Sequence, residues 1–269
     1  MKRIAIFISI FIICSCQAKH DNLIPNTDVK LISSDFTKWW TYYNSDTQLS
    51  SDFTAYDEAS HKIDKLTFLT KLTEGKHIPV RLKAENPSDE VRFQLFNINS
   101  SSDDISNTIK NIASTELAYF KLEGSAFPSY DFISLDNKKV SSKSNKGKYV
   151  IVKTWFLRCT ACIREFPLLN NLTKQYANRD DISFISFAYD DNKKLKTFLA
   201  TKPLNYSNVK VPQEYIEDTL GFNIYPTHII IDKYGKIVRI FNQADKMEAF
   251  LQKYLTKQHL LNSLNDDLK

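Results

Sequence analysis

The part of this sequence best suited to chemistry is a pair of cysteines separated by two residues. They are Cys159 and Cys162, in the segment WFLRCTACIREFP at 155–167. Thiols at this spacing could form half of a zinc site, a static crosslink, a peroxide-reducing centre or a redox pair that opens and closes. The other ligand types in the chain and the elements around the thiols separate these possibilities.

Zinc is poorly supported, because a structural zinc site takes four ligands. The chain offers five scattered histidines and no pair of them spaced by three to five residues: His20, His61, His77, His228 and His259. A purely structural disulfide between Cys159 and Cys162 would close too small a loop to stabilise the fold appreciably. The pattern therefore favours a redox-active pair, and no metal or other cofactor is predicted.

The thiols lie where a buried strand is predicted to become a helix. Residues 149–155, YVIVKTW, form a nearly continuous apolar run typical of a central strand, and residues 159–177 show helical spacing. The first turn of a helix offers unpaired N–H groups and a partial positive charge, which favour a thiolate. With Arg158 adding a full charge, Cys159 is predicted to attack and Cys162 to resolve the mixed disulfide.

The rest of the second half, 124–269, alternates strand and helix patterns. Strands are predicted over 182–190 and twice within 225–241, with helices over 193–202 and 246–264. This order predicts an α/β domain in which helices flank a central sheet.

Residues 35–122 read as a small α+β domain of unassigned role. A helix over 63–75, capped by Asp64, is followed by a hairpin around ENPSDE and by a helix over 103–119. Four aromatic side chains near its start are interpreted as core, with a binding surface as the alternative: Trp39, Trp40, Tyr42 and Tyr43.

The first fifteen residues read as an export signal, because their apolar run is too short to span a bilayer. The sequence Ile13-Cys14-Ser15-Cys16 resembles a bacterial lipobox, which predicts Cys16 as the acylated first residue of the mature chain. An ordinary signal peptide cut near Ala18 is the alternative. Residues 16–34 would then form a polar tether.

This processing would leave Cys159 and Cys162 as the two cysteines without another assignment. The chain has a net charge of +5 and no long run of Lys or Arg, so nothing predicts a nucleic-acid partner.

Three segments resemble the TlpA/ResA group of exported, membrane-tethered thiol–disulfide oxidoreductases: GSAFPSYDF at 124–132, VIVKTWFLRCTACIREFP at 150–167 and LGFNIYPTHIIIDKYGKIV at 220–238. The resemblance implies a thioredoxin-like fold with a central mixed sheet, preceded here by the small α+β domain. It also implies a cis-proline at Pro226, which would turn the Tyr225 backbone toward the cysteines to pair with a substrate strand.

The sequence departs from this family at three positions around the thiols. Arg158 stands where the family has Trp, and Thr160-Ala161 replaces the usual residues between the cysteines. Lys153 stands where thioredoxins place a buried carboxylate. It could take a proton from Cys162 as a neutral amine or stabilise the Cys162 thiolate as an ammonium; alternatively its amine reaches solvent and only the stem packs.

We therefore expect a lipoprotein of the bacterial cell envelope that faces the periplasm and works in the reducing direction. Its expected partners are exported proteins with cysteines or disulfides and a membrane electron donor. A peroxiredoxin-like peroxidase is one alternative, although Phe156 occupies the place of its threonine. The other is a non-enzymatic lipoprotein whose thiols bind metal together with His228. Glu165 is expected only to complement the helix start.

Overall fold

The structure, a computed structural model, describes residues 23–84, 86, 90–98 and 103–266. Its α-helices are α1 (Val29–Ile32), α2 (Phe36–Asp46), α3 (Lys65–Leu72), α4 (Asp103–Leu122), α5 (Thr160–Arg164), α6 (Phe166–Gln175), α7 (Asn192–Thr201) and α8 (Ala244–Asp266). Its strands are β1 (Thr54–Tyr56), β2 (Lys62–Ile63), β3 (His77–Arg81), β4 (Arg92–Asn97), β5 (Asp131–Ile133), β6 (Lys139–Ser141), β7 (Tyr149–Trp155), β8 (Ile182–Ala188), β9 (Ser207–Lys210), β10 (Thr227–Ile231) and β11 (Ile237–Phe241).

The first half of the chain is built on a four-stranded sheet in the order β2-β1-β4-β3. The hairpin predicted around ENPSDE is present as the antiparallel pair β3–β4. Helices α2 and α3 begin at aspartates, as expected of N-cap residues: Asp35 accepts from the Lys38 N–H at 2.9 Å and Asp64 from the Thr67 N–H at 2.8 Å.

The aromatic cluster of α2 divides between core and surface. Trp39 is fully buried and Tyr42 nearly so, but Trp40 is 41% exposed. Residues three apart share one helix face, whereas the next residue along lies about 100° away. The interpretation of the cluster as core is therefore wrong for Trp40.

The second half is built on a five-stranded sheet in the order β11-β10-β7-β8-β9. Strands β7, β8 and β9 run parallel, whereas β10 is antiparallel to β7 and β11 is antiparallel to β10. Every residue of the central strand β7 is buried. The predicted fold class, a thioredoxin-like α/β fold with a mixed sheet flanked by helices, is confirmed.

The two faces of β7 enter two separate core layers. Ile151 and Trp155 pack in the layer that contains both cysteines, α6 and α8. Val150 and Val152 pack in the opposite layer. Because side chains alternate along a strand, Lys153 lies on the same face as Ile151 and Trp155.

The helix predicted over 159–177 is divided at Glu165 into α5 and α6. Pro167 lies at the first turn of α6. It has no N–H to donate to the carbonyl of Ile163, so the hydrogen-bond ladder cannot run through this point.

Residues 24–34 are attached to the first half and do not form a free tether. The Lys83 N–H donates to the Ile24 carbonyl, the Asn26 N–H donates to the Arg81 carbonyl, and Ile32 is buried. The tether prediction is therefore wrong for this part.

The predicted signal at 1–15 and the predicted lipidation site Cys16 lie outside the described residues. Among the described helices, none combines the length and apolar character needed to span a bilayer.

The two halves meet where α4 packs against β11. Arg239 of β11 is nearly buried there. Its Nη2 lies 2.7 Å from Asp52 Oδ1 and its Nε 2.9 Å from Glu123 Oε1, while Nη1 donates to the Ser50 carbonyl. One arginine of the second half therefore binds the loop between α2 and β1 of the first half and the connection between the halves.

Candidate active site

The two cysteines form a disulfide at the point where β7 leads into α5. Cys159 is the N-cap residue of α5, and its Sγ accepts a hydrogen bond from the Cys162 backbone N–H at 3.1 Å. Cys159 retains 7% of its surface, whereas Cys162 has none. Of the two residues, Cys159 is therefore the one that keeps some contact with the surface, as the predicted roles require.

The segment that precedes β10 lies beside the disulfide. Its Tyr225–Pro226 peptide bond is cis, at the position that the family resemblance implies. The Tyr225 ring packs edge-on against Phe156, with 5.2 Å between ring centroids. The Phe156 carbonyl in turn accepts the Cys159 N–H at 3.0 Å. Phe156 therefore joins the cis-proline segment to the redox pair.

Arg158 lies directly before Cys159 with an exposed side chain. No ion pair links it to another residue in the part of the chain that the structure describes. Its charge is therefore available both to the Cys159 thiolate and to the surface of a docking protein.

Behind α5, three ionisable side chains meet in the interior. Glu165 Oε2 lies 2.7 Å from Lys153 Nζ and 3.0 Å from His228 Nε2. Lys153 and His228 are opposite each other on β7 and β10, and both are fully buried. Glu165 Oε1 accepts the Ala244 N–H at 2.9 Å, at the first turn of α8. The carboxylate thus joins the sheet to the start of α8.

The charges of this cluster follow from burial and pairing. Burial acts to raise the pKa of Glu165, but hydrogen bonds and charges from His228 and Lys153 outweigh it and hold the pKa at about 2. Burial lowers the pKa of His228 to about 4, and the charge of Lys153 acts in the same direction. Burial also lowers the pKa of Lys153, against the attraction of Glu165. At neutral pH, a neutral His228 therefore donates its Nε2–H to Glu165, which is ion-paired with Lys153.

Comparison with known proteins agrees with this geometry. Residues 122–255 match the redoxin family. The matched residues, in the second half of the chain, are called the redoxin domain below. Among curated relatives, the thioredoxin-like protein YneN of Bacillus subtilis is 28% identical over 117 residues, which cover 43% of this chain and 68% of YneN. The thiol–disulfide oxidoreductase ResA of Bacillus anthracis is 29% identical over 134 residues, which cover 48% of this chain and 77% of ResA.

A solved structure also resembles the redoxin domain. The thioredoxin domain of a thiol–disulfide oxidoreductase from Bacteroides vulgatus is 25% identical, with a TM-score of 0.45, over 49% of this chain and 96% of that one. The redoxin match begins at residue 122, so the four-stranded sheet of the first half lies outside it. With its Cys159–Cys162 disulfide, the redoxin domain is a thioredoxin-like thiol–disulfide oxidoreductase.

Two expectations from the sequence, about Lys153 and Glu165, differ from the structure. The alternative in which the Lys153 amine reaches solvent is wrong, because its Nζ is buried against Glu165. Glu165 is not limited to complementing a helix start, since it receives three hydrogen bonds from three elements. A buried lysine needs an anionic partner. Lys153, in the apolar run 149–155, was therefore the signal in the sequence for a carboxylate such as Glu165.

His228, which the metal-binding alternative placed with the thiols, is engaged elsewhere. Its Nε2 donates to Glu165. No group of three or more His, Cys, Asp or Glu side chains in the described part of the chain is arranged to hold a metal ion.

Proposed function

We propose that this protein is an exported, membrane-anchored reductase that transfers electrons from Cys159 and Cys162 to disulfides of other exported proteins. The observation that carries the proposal is the unequal exposure of two bonded cysteines at a helix start, beside a cis-proline segment, in a redoxin domain.

The exchange proceeds in two displacement steps. In the reduced protein, the Cys159 thiolate attacks one sulfur of the substrate disulfide; a mixed disulfide forms, and the first substrate thiolate leaves and takes up a proton. Cys162 then loses its proton and its thiolate attacks Cys159 Sγ, which releases the second substrate thiolate. Two electrons have moved to the substrate, and the Cys159–Cys162 disulfide remains.

The buried pair behind α5 supports the second step. Cys162 is fully buried, and burial in apolar surroundings disfavours its thiolate. The Lys153 ammonium lies in the same core layer and is held there by Glu165. Glu165 opposes the burial that lowers the pKa of Lys153, and in this proposal the Lys153 ammonium is the positive charge that stabilises the Cys162 thiolate.

The direction and location rest on the sequence. The resemblance to the TlpA/ResA group supports reduction of substrates, with a membrane-bound dithiol donor restoring the Cys159–Cys162 dithiol. The signal-like residues 1–15 and the lipobox at Cys16 support export and anchoring by lipid at the periplasmic side of the bacterial envelope.

Partner trapping tests this function. A full-length Cys162→Ser variant cannot resolve the mixed disulfide, so it should accumulate substrates bound to Cys159, which mass spectrometry of non-reduced complexes identifies. The matched control is Cys159→Ser, which leaves the buried Cys162 as the remaining thiol of the pair and should trap little.

Equal trapping by the two variants would contradict the assignment of Cys159 as the attacking thiol. An absence of trapped protein in both, together with no reduction of a model protein disulfide by the wild type, would contradict the function itself.

A further inference from the structure

A groove separates the two halves of the molecule at the end of the sheet where the redox pair lies. Its volume is about 260 Å³. One wall comes from α2 and α4 and includes Trp40 and Tyr43; the other comes from the redoxin domain and includes Ile224 and Asn242. Because β7 and β10 are antiparallel, the start of β10 and the end of β7 lie at the same end of the sheet. The groove is at this end.

Both walls expose apolar surface. Trp40 is 41% exposed and Ile224 is 38% exposed. The Trp40 and Tyr43 rings are stacked nearly parallel, with 6.0 Å between their centroids, and both line this wall of the groove. Exposed aromatic and aliphatic side chains that face each other across a groove are typical of a site for another chain.

The groove is continuous with the cis-proline segment. Ile224, on its wall, is two residues before Pro226. Asn242, also on its wall, donates from Nδ2 to the Pro226 carbonyl at 2.8 Å and to the Tyr119 hydroxyl of α4 at 3.2 Å. Three residues of extended chain span about 10 Å. A polypeptide held at Cys159 beside Pro226 therefore reaches the groove within a few residues.

The charge of the groove suits an uncharged side chain. Of the described lining residues, Glu116 and Lys246 are the two that ordinarily carry charge. Burial raises the pKa of Glu116 to about 7, against the charge of Lys65. The Glu116 carboxyl is thus partly protonated near neutral pH, and the groove has no strong field of one sign.

We propose that this groove binds an extended segment of the substrate polypeptide, with an apolar side chain seated against Trp40 and Tyr43 while the substrate cysteine is bonded to Cys159. The inference rests on the proposed function, and it gives the first half of the chain the role of selecting substrates by the residues that flank their cysteine.

The test compares two disulfides as oxidants of the reduced full-length protein. One is a peptide disulfide with a leucine or phenylalanine three or four residues from its cysteine; the other is oxidised glutathione, which is too small to reach the groove. In Trp40→Ala, the ratio of the second-order rate constants for the peptide and for glutathione should fall about tenfold, the equivalent of about 1.4 kcal/mol. The matched control is Tyr234→Ala, an 89% exposed aromatic at the other end of the sheet, where the ratio should stay at the wild-type value.

A second measurement uses the tryptophans themselves. Trp39 and Trp155 are fully buried, so Trp40 is the solvent-exposed one of the three. When Cys162→Ser is trapped with the apolar peptide, the emission of Trp40 should shift to shorter wavelength, and the shift should disappear in Trp40→Phe. A trapped peptide with glycines in place of the apolar residues should give no shift.

The outcomes separate the groove from the function. If reduced wild-type protein reacts with both disulfides but the ratio is unchanged in Trp40→Ala, the groove proposal fails and the proposed function stands. If wild-type protein reacts with neither, both fail. Loss of self-association or of binding to lipid vesicles in Trp40→Ala, with an unchanged ratio, would assign the groove to a second copy or to a membrane and would also overturn the proposal.

Discussion

At the scale of single residues, the most unusual feature is a lysine buried behind the redox pair. Lys153 is fully inaccessible, and its charge is tolerated because Glu165 lies 2.7 Å away. Removing one partner of a buried ion pair leaves the other charge uncompensated, whereas removing both can be nearly neutral. Either residue without the other would therefore destabilise the fold.

This leads to a double-mutant prediction. Glu165→Gln should lower the free energy of unfolding by about 3 kcal/mol or more, because the Lys153 ammonium loses its counter-charge. Adding Lys153→Met should recover most of that loss. Urea unfolding of the oxidised proteins measures both values.

The same pair of variants tests a role in chemistry. If Lys153 stabilises the Cys162 thiolate, the stable double variant should still resolve mixed disulfides more slowly than the wild type. Wild-type resolution in the double variant would limit the pair to a structural role, and wild-type stability in Glu165→Gln would contradict the ion pair itself.

At the scale of secondary-structure elements, the break between α5 and α6 gives Glu165 its position. Pro167 interrupts the helix ladder, and Glu165, at that interruption, reaches β7, β10 and the first turn of α8 together. His228 brings β10 into this contact as a neutral ring in a fully buried site.

The buried His228 of β10 predicts that the free energy of unfolding depends on pH. The pKa of His228 falls from about 6.5 in the unfolded chain to about 4 in the fold. Its contribution to stability is therefore complete above pH 6.5 and is lost as the pH falls toward 4, by an amount on the order of 3 kcal/mol. Urea unfolding at a series of pH values in this window should show a smaller loss for His228→Gln than for the wild type.

The pH profile of unfolding for His228→Gln must be compared with that of a control variant, because a second buried group also titrates in this window. The raised pKa of Glu116 acts with the opposite sign, because the folded state holds that proton up to about pH 7 and loses stability as the pH rises from 4.5. The control is His61→Gln at a side chain that is 77% exposed. An identical pH profile for His228→Gln and His61→Gln would contradict the buried neutral histidine.

At the scale of the whole molecule, one arginine connects the two halves. Arg239 contacts Asp52, Ser50 and Glu123, and its side chain is 9% exposed. Lys65 is partly buried near this junction, and its pKa is lowered to about 8 by burial and by the charge of Arg239. The junction is thus a charged contact in which Arg239 is nearly buried and Asp52 is exposed to solvent.

We predict that Arg239→Met loosens the junction. Loss of a nearly buried charged partner should cost about 2 kcal/mol or more. Hydrogen exchange should become faster at the contact of α4 with β11, while the core of β7 stays protected. The matched control is Arg179→Met, which removes an ion pair with Asp181 that is 37% exposed and lies within the redoxin domain. Equal exchange at the junction in both variants would show that Arg239 does not hold the halves together.

The local chemistry of the redox site was predictable from sequence, because it depends on neighbours along the chain. The spacing of Cys159 and Cys162, the apolar strand before them and the helical pattern after them predicted a redox pair at a helix start. The N-cap residues Asp35 and Asp64 and the hairpin around ENPSDE also depend on residues a few positions apart. The fold class follows from the same strand and helix patterns.

Tertiary structure decided what depends on partners far apart in the chain. Glu165 and His228 are 63 residues apart, and Arg239 and Asp52 are 187 apart. No periodicity relates such positions. Whether Trp40 is core or surface depends on which face of α2 meets the sheet, and the groove exists only because α2 and α4 stand beside the cis-proline segment. The sequence therefore determined which residues form the candidate redox pair, and the packing of distant elements decided what surrounds them.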